Sequence, residues 1–214
     1  CLAMYKLLRQ RSLAGVKAYA RLDNSPELNN HTLNPPMRVS SPANKDLNPP
    51  QVTAIILNWC DEIVTADCIR SLIASDYPAL KILLVDNGST DDSFKELKRL
   101  FPKIDFLQTG KNLGYAGGNN RGIEHALVSN PDYILILNND TVLEPVTISK
   151  LVDVIDKRDR RIGGVAPKIL YHDKPDRIWY AGGEFSPLLG LGLHWHEGDL
   201  DESNRVESVR NISF

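Results

Sequence analysis

The stretch Tyr133-Ile134-Leu135-Ile136-Leu137 runs directly into Asn138-Asn139-Asp140. A continuous apolar run of this kind reads as a strand buried on both faces, the pattern of a parallel sheet. Three polar residues at its carboxyl end put oxygen ligands where open α/β sheets receive their ligands. One carboxylate beside two amides suits a hard divalent cation that holds a phosphate. The same grammar recurs upstream, where Lys81-Ile82-Leu83-Leu84-Val85 ends on Asp86-Asn87-Gly88-Ser89-Thr90-Asp91-Asp92. These are also ordinary turn residues, so either end taken alone is explained by a tight turn. Their repetition, with a Gly/Asn-rich segment between them, favours a ligand site.

That segment runs from Gly110 to Gly122 and precedes Ile123-Glu124-His125-Ala126-Leu127-Val128, whose periodicity predicts a helix. Glycines let a backbone approach a ligand closely, and a helix N-terminus favours phosphate. The segment is not a Walker loop, because no Gly-Lys-Ser/Thr closes it. Gly114, Gly117 and Gly118 also miss the spacing of a dinucleotide fingerprint.

Working outward, Val52 to Trp59 reads as the first strand and Thr65 to Ser75 as an amphipathic helix. A helix reaches Leu100, with Asp91 as its expected cap. Ile104 to Leu107 is a short strand and Val146 to Asp156 a helix. The segments 162–170 and 178–183 are weaker strands. Strands alternating with helices predict an α/β fold, a Rossmann-like, mostly parallel sheet flanked by helices.

The 214 residues are 42% hydrophobic and 24% charged, enough for one globular domain, which is placed at 51–214. A net charge of -2 supplies no field for nucleic acid, so no nucleic-acid partner is expected. Cys1, Cys60 and Cys68 fit neither a zinc site nor a disulfide framework, which points to a reducing, cytoplasmic compartment. No apolar run is long enough to cross a bilayer, and the first residues lack a secretory core. Residues 1–22 carry Lys6, Arg9, Arg11, Lys17 and Arg21 among apolar residues, and a basic helical segment is expected there. Such a helix either makes peripheral contact with a membrane, at the inner face of the plasma membrane, or belongs, solvated, to a preceding domain. Residues 23–50 are rich in Pro, Asn and Ser and read as a linker. Beginning at Cys1 and ending at Phe214 in mid-pattern, the sequence reads as a piece of a longer protein, incomplete at its C-terminus.

Four pieces now stand in order: Ile56-Leu57-Asn58-Trp59, Val85 to Asp91, Asn112 to Gly122, and Leu137 to Asp140. Together they resemble family 2 glycosyltransferases of the glycosyltransferase-A fold, above all the bacterial rhamnosyltransferase-like branch. The resemblance covers Val52 to about Gly198. It implies an inverting transferase that moves a sugar from a UDP- or dTDP-linked donor to a hydroxyl of a glycan or lipid-linked acceptor. Leu57 and Asn58 would line the base pocket, Asp86 would accept from the N–H of uracil or thymine, and Gly88 and Ser89 would also bind the nucleotide. An acceptor-only carboxylate is well matched to that imide donor. Asn112, Gly114 and Asn119 would close over the nucleotide. Asn138, Asn139 and Asp140 stand where the family carries its Asp-x-Asp motif. Asp140, with Asn138, would hold Mg²⁺ or Mn²⁺.

The sequence departs from the family pattern in two respects. Asn138 replaces the first Asp, which removes one ligand charge. The family's catalytic base follows the metal motif, and Glu197, Asp199, Asp201 and Glu202 lie in a charged stretch that reads as a solvated loop. The base is therefore expected beyond Phe214, and no catalytic residue is assigned. His194-Trp195-His196 would set two histidines on one face of a strand, yet the expected metal prefers oxygen. Tyr180 to Pro187 resembles a family segment near the donor sugar. Two other readings compete. A sugar nucleotidyltransferase would carry a Gly-rich basic loop after the first strand, which Asn58 to Glu62 lacks. A non-catalytic nucleotide-sugar-binding module of a polysaccharide-assembly protein is compatible with the same motifs.

Overall fold

A computed structural model describes residues 3–6, 49–157, 163–186 and 191–202. The linker expected over 23–50 lies outside the described residues except for its last two, as does most of the basic segment 1–22. Six strands form the central sheet: β1 (Ala3–Lys6), β2 (Val52–Asn58), β3 (Leu80–Asp86), β4 (Asp105–Gln108), β5 (Tyr133–Asn138) and β6 (Gly164–Val165). Their spatial order is β4-β3-β2-β5-β1-β6. β4, β3, β2 and β5 run parallel, whereas β1 is antiparallel to both of its neighbours. The helices α1 (Glu62–Ile73), α2 (Ser93–Leu100) and α3 (Gly114–Leu127) make the crossovers, and α4 (Thr147–Lys157) follows β5. Short antiparallel pairs complete the described part: β7 (Ile169–Leu170) with β8 (Ile178–Tyr180), and β9 (Gly183–Ser186) with β10 (Leu191–His194). The expected mostly parallel sheet flanked by helices is present.

β2 is central because its alternating side chains are apolar on both faces. Val52, Ala54 and Ile56 join Ile69 and Leu72 of α1, Leu97 of α2 and Ile148 and Ile155 of α4 in one core. Ile55 joins Leu83, Val85, Ala126 and Ile134 in a second, under α3. The chain winds outward from β2 to β3 to β4, then crosses back to lay β5 on the other side of β2. That reversal opens a crevice at the carboxyl ends of β2, β3 and β5, the usual ligand position in such sheets.

Three expectations change. The helix expected from Ile123 begins at Gly114, nine residues earlier in number, and takes most of the Gly/Asn-rich segment into α3. Glycines cost a helix about 1 kcal/mol each relative to alanine. Here they allow close packing on the sheet. A Cβ on Gly118 would stand 2.5 Å from Leu57 Cδ1, and one on Gly122 2.8 Å from Ile55 Cγ2. At the chain start, Ala3–Lys6 is a strand of this sheet rather than part of a basic helix. A four-residue strand satisfies the edge of β5 that a helix would leave unpaired. The strand expected over 162–170 is split into β6 and β7 around Pro167, which has no N–H to give a ladder. Among the described residues no helix is long and apolar enough to cross a membrane.

Candidate functional site

Register places the motif residues side by side. Asn58 pairs with Asp86, and Leu57 pairs with Asn138 on the opposite flank of β2. The carboxyl ends of three strands therefore carry Asn58, Asp86 and Asn138 in one row.

Asp86 is almost fully buried, at 1% exposure, and its carboxylate is held from three sides. Asn58 Nδ2 donates to Oδ1 at 3.2 Å, while the Ser89 N–H and Gln108 Nε2 donate to Oδ2 at 3.3 and 3.4 Å. Asn58 itself is fully buried. Its amide also faces Ser89 Oγ and Ser93 Oγ, each at 3.3 Å. The expected direct contact of Asn58 with a base therefore gives way to support of Asp86 from below. Leu57 is packed by its side chain against Gly118. Ser89 Oγ accepts from the Cys60 N–H at 2.9 Å, which ties the end of β2 to the turn after β3.

That turn meets the loop before α3. Gly88 has φ +75°, and a Cβ there would lie 2.4 Å from the carbonyl carbon of Lys111. Its role is thus to let two backbones touch. Asn87, which sequence reasoning did not assign, clamps the same loop. Its Oδ1 accepts from the Leu113 N–H at 3.0 Å, and its Nδ2 donates to Asn112 Oδ1 and the Gly114 carbonyl at 3.2 Å each. Asn112 Oδ1 also accepts from the Gly114 N–H at 2.8 Å. Asn112 and Gly114 are exposed at the rim, and the N-cap residue Leu113 makes no side-chain bond to the N–H groups of the first turn of α3. Backbone N–H groups at an uncapped helix start favour an anion. Asn119 lies one turn further in, buried, with Nδ2 donating to the Tyr115 carbonyl at 2.9 Å. Its Oδ1 is buried without a partner.

At the end of β5, the Asn138 Oδ1 is likewise buried without a partner. Such orphaned acceptors are uncommon in folded proteins and mark places where a ligand or water supplies the missing donor or cation. Asn139 Nδ2 donates to Thr65 Oγ1 at 2.9 Å, and Asp140 is exposed. Cys68 lies beneath, its thiol 3.7 Å from the Asn138 carbonyl. Burial first, and then the charge of Asp140, push that thiol up to about 12. Among the described residues no three His, Cys, Asp or Glu side chains converge as a complete metal cage. One exposed carboxylate beside an orphaned amide oxygen is an all-oxygen partial set. It fits a small hard cation whose remaining ligands come from phosphate and water.

The histidines do not share a strand face. β10 ends at His194, and His196 sits in a turn with φ 60°. Each turns to a different carboxylate, His194 to Glu197 at 3.6 Å and His196 to Asp199 at 3.1 Å. Glu197 and Asp199 are exposed, as a solvated loop predicts, whereas Asp201 is half-buried in an ion pair with Lys168.

The chain is similar to known proteins. The sequence profile of the family described as Glycosyl transferase family 2 matches residues 55–201. An uncharacterized glycosyltransferase of Mycoplasma pneumoniae is 32% identical over 113 residues, 51% of this chain and 38% of that protein. The N-acetylglucosaminyl-diphospho-decaprenol L-rhamnosyltransferase of Mycobacterium tuberculosis is 29% identical over 130 residues, 57% of this chain and 41% of that protein. The match thus spans about two fifths of the length of these curated relatives. Among solved structures, a mannosyltransferase from Pyrobaculum calidifontis in complex with GDP-Man and Mn²⁺ superposes with a TM-score of 0.45 at 20% identity, covering 51% of this chain and 33% of that one.

Proposed function

This chain belongs to glycosyl transferase family 2, and on that premise we propose that it binds a UDP- or dTDP-linked sugar as donor for transfer to a hydroxyl of a glycan or lipid-linked acceptor. The observation that carries the reading is the row of acceptors at the strand ends: the Asp86 carboxylate at one side of β2 and the orphaned Oδ1 of Asn138 at the other. Asp86 takes the imide N–H of the pyrimidine. The start of α3 and the loop pinned by Asn87 receive the diphosphate. Asn119 Oδ1 accepts from a nucleotide hydroxyl. Asn138, Asn139 and Asp140 lie on the pyrophosphate side, and Asp140 with Asn138 would hold Mg²⁺ or Mn²⁺. Such an ion, when bound, neutralises charge on the departing nucleoside diphosphate. Attack by the acceptor hydroxyl opposite the leaving group inverts the anomeric centre. Relatives named for lipid-linked substrates support the acceptor class, and a bacterial cell-surface polysaccharide is the product this chemistry suits.

The test is calorimetry with UDP, dTDP and GDP, with and without Mn²⁺. The pyrimidine diphosphates should bind tighter than GDP, and the metal should strengthen binding. Equal or tighter binding of GDP would remove the role given to Asp86.

A further inference from the structure

We infer that Thr65 is a positioning residue that couples the metal end of the donor site to its base end. This rests on the donor-site reading above. Thr65 stands one turn into α1, fully buried, and outside every motif of the site. Its hydroxyl nevertheless lies between the two ends. Asn139 Nδ2 donates to Thr65 Oγ1 at 2.9 Å, Thr65 Oγ1 donates to Asn58 Oδ1 at 2.9 Å, and Asn58 Nδ2 donates to Asp86 Oδ1 at 3.2 Å.

The direction of this chain is set by chemistry. A carboxylate offers only acceptors, so Asn58 must turn its NH₂ toward Asp86 and its carbonyl toward α1. That carbonyl claims the single hydroxyl proton of Thr65. The lone pairs of Thr65 are then left for an amide donor, which Asn139 supplies. Asn139 is thereby fixed in rotation at the residue before Asp140. The strands beside β2 are joined in this way by a side-chain path behind the ligand crevice, in addition to their backbone ladders. Each member is buried or half-buried, so a break leaves a desolvated polar group without a partner, and the neighbours must rearrange. A ligand that seats on Asp86 therefore acts on a preset Asn139-Asp140 loop, and the loop in turn acts on Asp86.

The readout is the factor by which saturating Mn²⁺ raises the affinity for UDP, measured calorimetrically on the whole chain. Thr65→Val keeps the shape and removes the hydroxyl, and Thr65→Ser keeps the hydroxyl. The factor should fall about threefold to tenfold in Thr65→Val, the scale of one hydrogen bond, and return in Thr65→Ser. Thr65→Ala removes the same hydroxyl with a helix-favouring side chain, and it carries the test if the valine variant does not fold. Should both hydroxyl-less variants unfold at lower temperature yet keep the wild-type Mn²⁺ factor, Thr65 is a packing residue and the inference is wrong. Failure of the donor reading looks different, because the unaltered chain would then bind no UDP or show no Mn²⁺ effect, and the inference would fall with it.

Discussion

The two ends of the site are built in opposite ways. At the end proposed for the base, Asp86 already accepts from Asn58, Ser89 and Gln108, which leaves one acceptor position on its carboxylate. At the metal end, Asn138 holds an orphaned oxygen and Asp140 stands in solvent. A network that is largely filled is rigid before the ligand arrives, which lowers the cost of ordering on binding. An unsaturated end needs the ligand to complete it. On the proposed reading, the contrast means that selection of the nucleotide is prepaid in the fold, whereas grip on the diphosphate is assembled with the ligand.

The sharpest way to break this contrast is Gly88→Ala. A Cβ would meet the Lys111 backbone at 2.4 Å in a left-handed conformation. The base end should lose about 2–4 kcal/mol of stability from backbone strain and overpacking, read by chemical denaturation. An unchanged midpoint would show that the two loops separate freely. Next comes Asp86→Ala, which should weaken UDP binding by about 1.5–3 kcal/mol, the scale of a hydrogen bond to a charged group. Calorimetry that finds the loss equal for UDP and GDP would assign Asp86 to support of the loop and not to base selection.

The metal end is sharpened by its thiol. Cys68 ionises at about 12 in the fold against 9.0 for an ordinary thiol. The folded state therefore holds a proton that the unfolded state releases between those values. The stability this group contributes is fully present below pH 9 and falls as pH rises toward 12, by up to about 1.4 kcal/mol per pH unit. Cys68→Ala should flatten that part of the stability–pH curve. In the native protein a thiol reagent should modify the half-exposed Cys60 and spare Cys68. Smallest is Asp140→Ala. Its effect on stability should stay within about 0.5 kcal/mol, as for an exposed position, while the Mn²⁺ enhancement of UDP binding disappears. Retention of the enhancement would make Asp140 a turn residue.

Much of this was legible before the structure. Buried strands announce themselves by apolar runs that end in polar residues, and β2, β3 and β5 did so. The places of Asp86 and Asn138 at neighbouring strand ends follow, because a strand end fixes its neighbours. The start of α3 was not legible, since glycine signals a loop and its close packing on Ile55 and Val85 is visible only with the sheet in place. Asn58 looked like a ligand contact because its burial depends on α1. Thr65 and Asn87 gave no signal, because a polar residue's role is set by partners distant in sequence, Asn139 for one and Leu113 for the other.

β1 carries a consequence for how the molecule comes together in time. Lys6 pairs with Tyr133, so the strand beside β5 arrives from the far end of the sequence. The parallel strands β2, β3 and β4 close through successive neighbouring crossovers and β5 returns beside β2, whereas β1 must close a still longer loop. Contacts of such high sequence separation form late and slow the overall rate. Until they form, the outer edge of β5 is an open row of backbone donors and acceptors beside the emerging crevice, a template for pairing with another chain. Ala3–Lys6 thus acts as the sheet's own guard against association during folding, and its deletion should show first as aggregation on refolding.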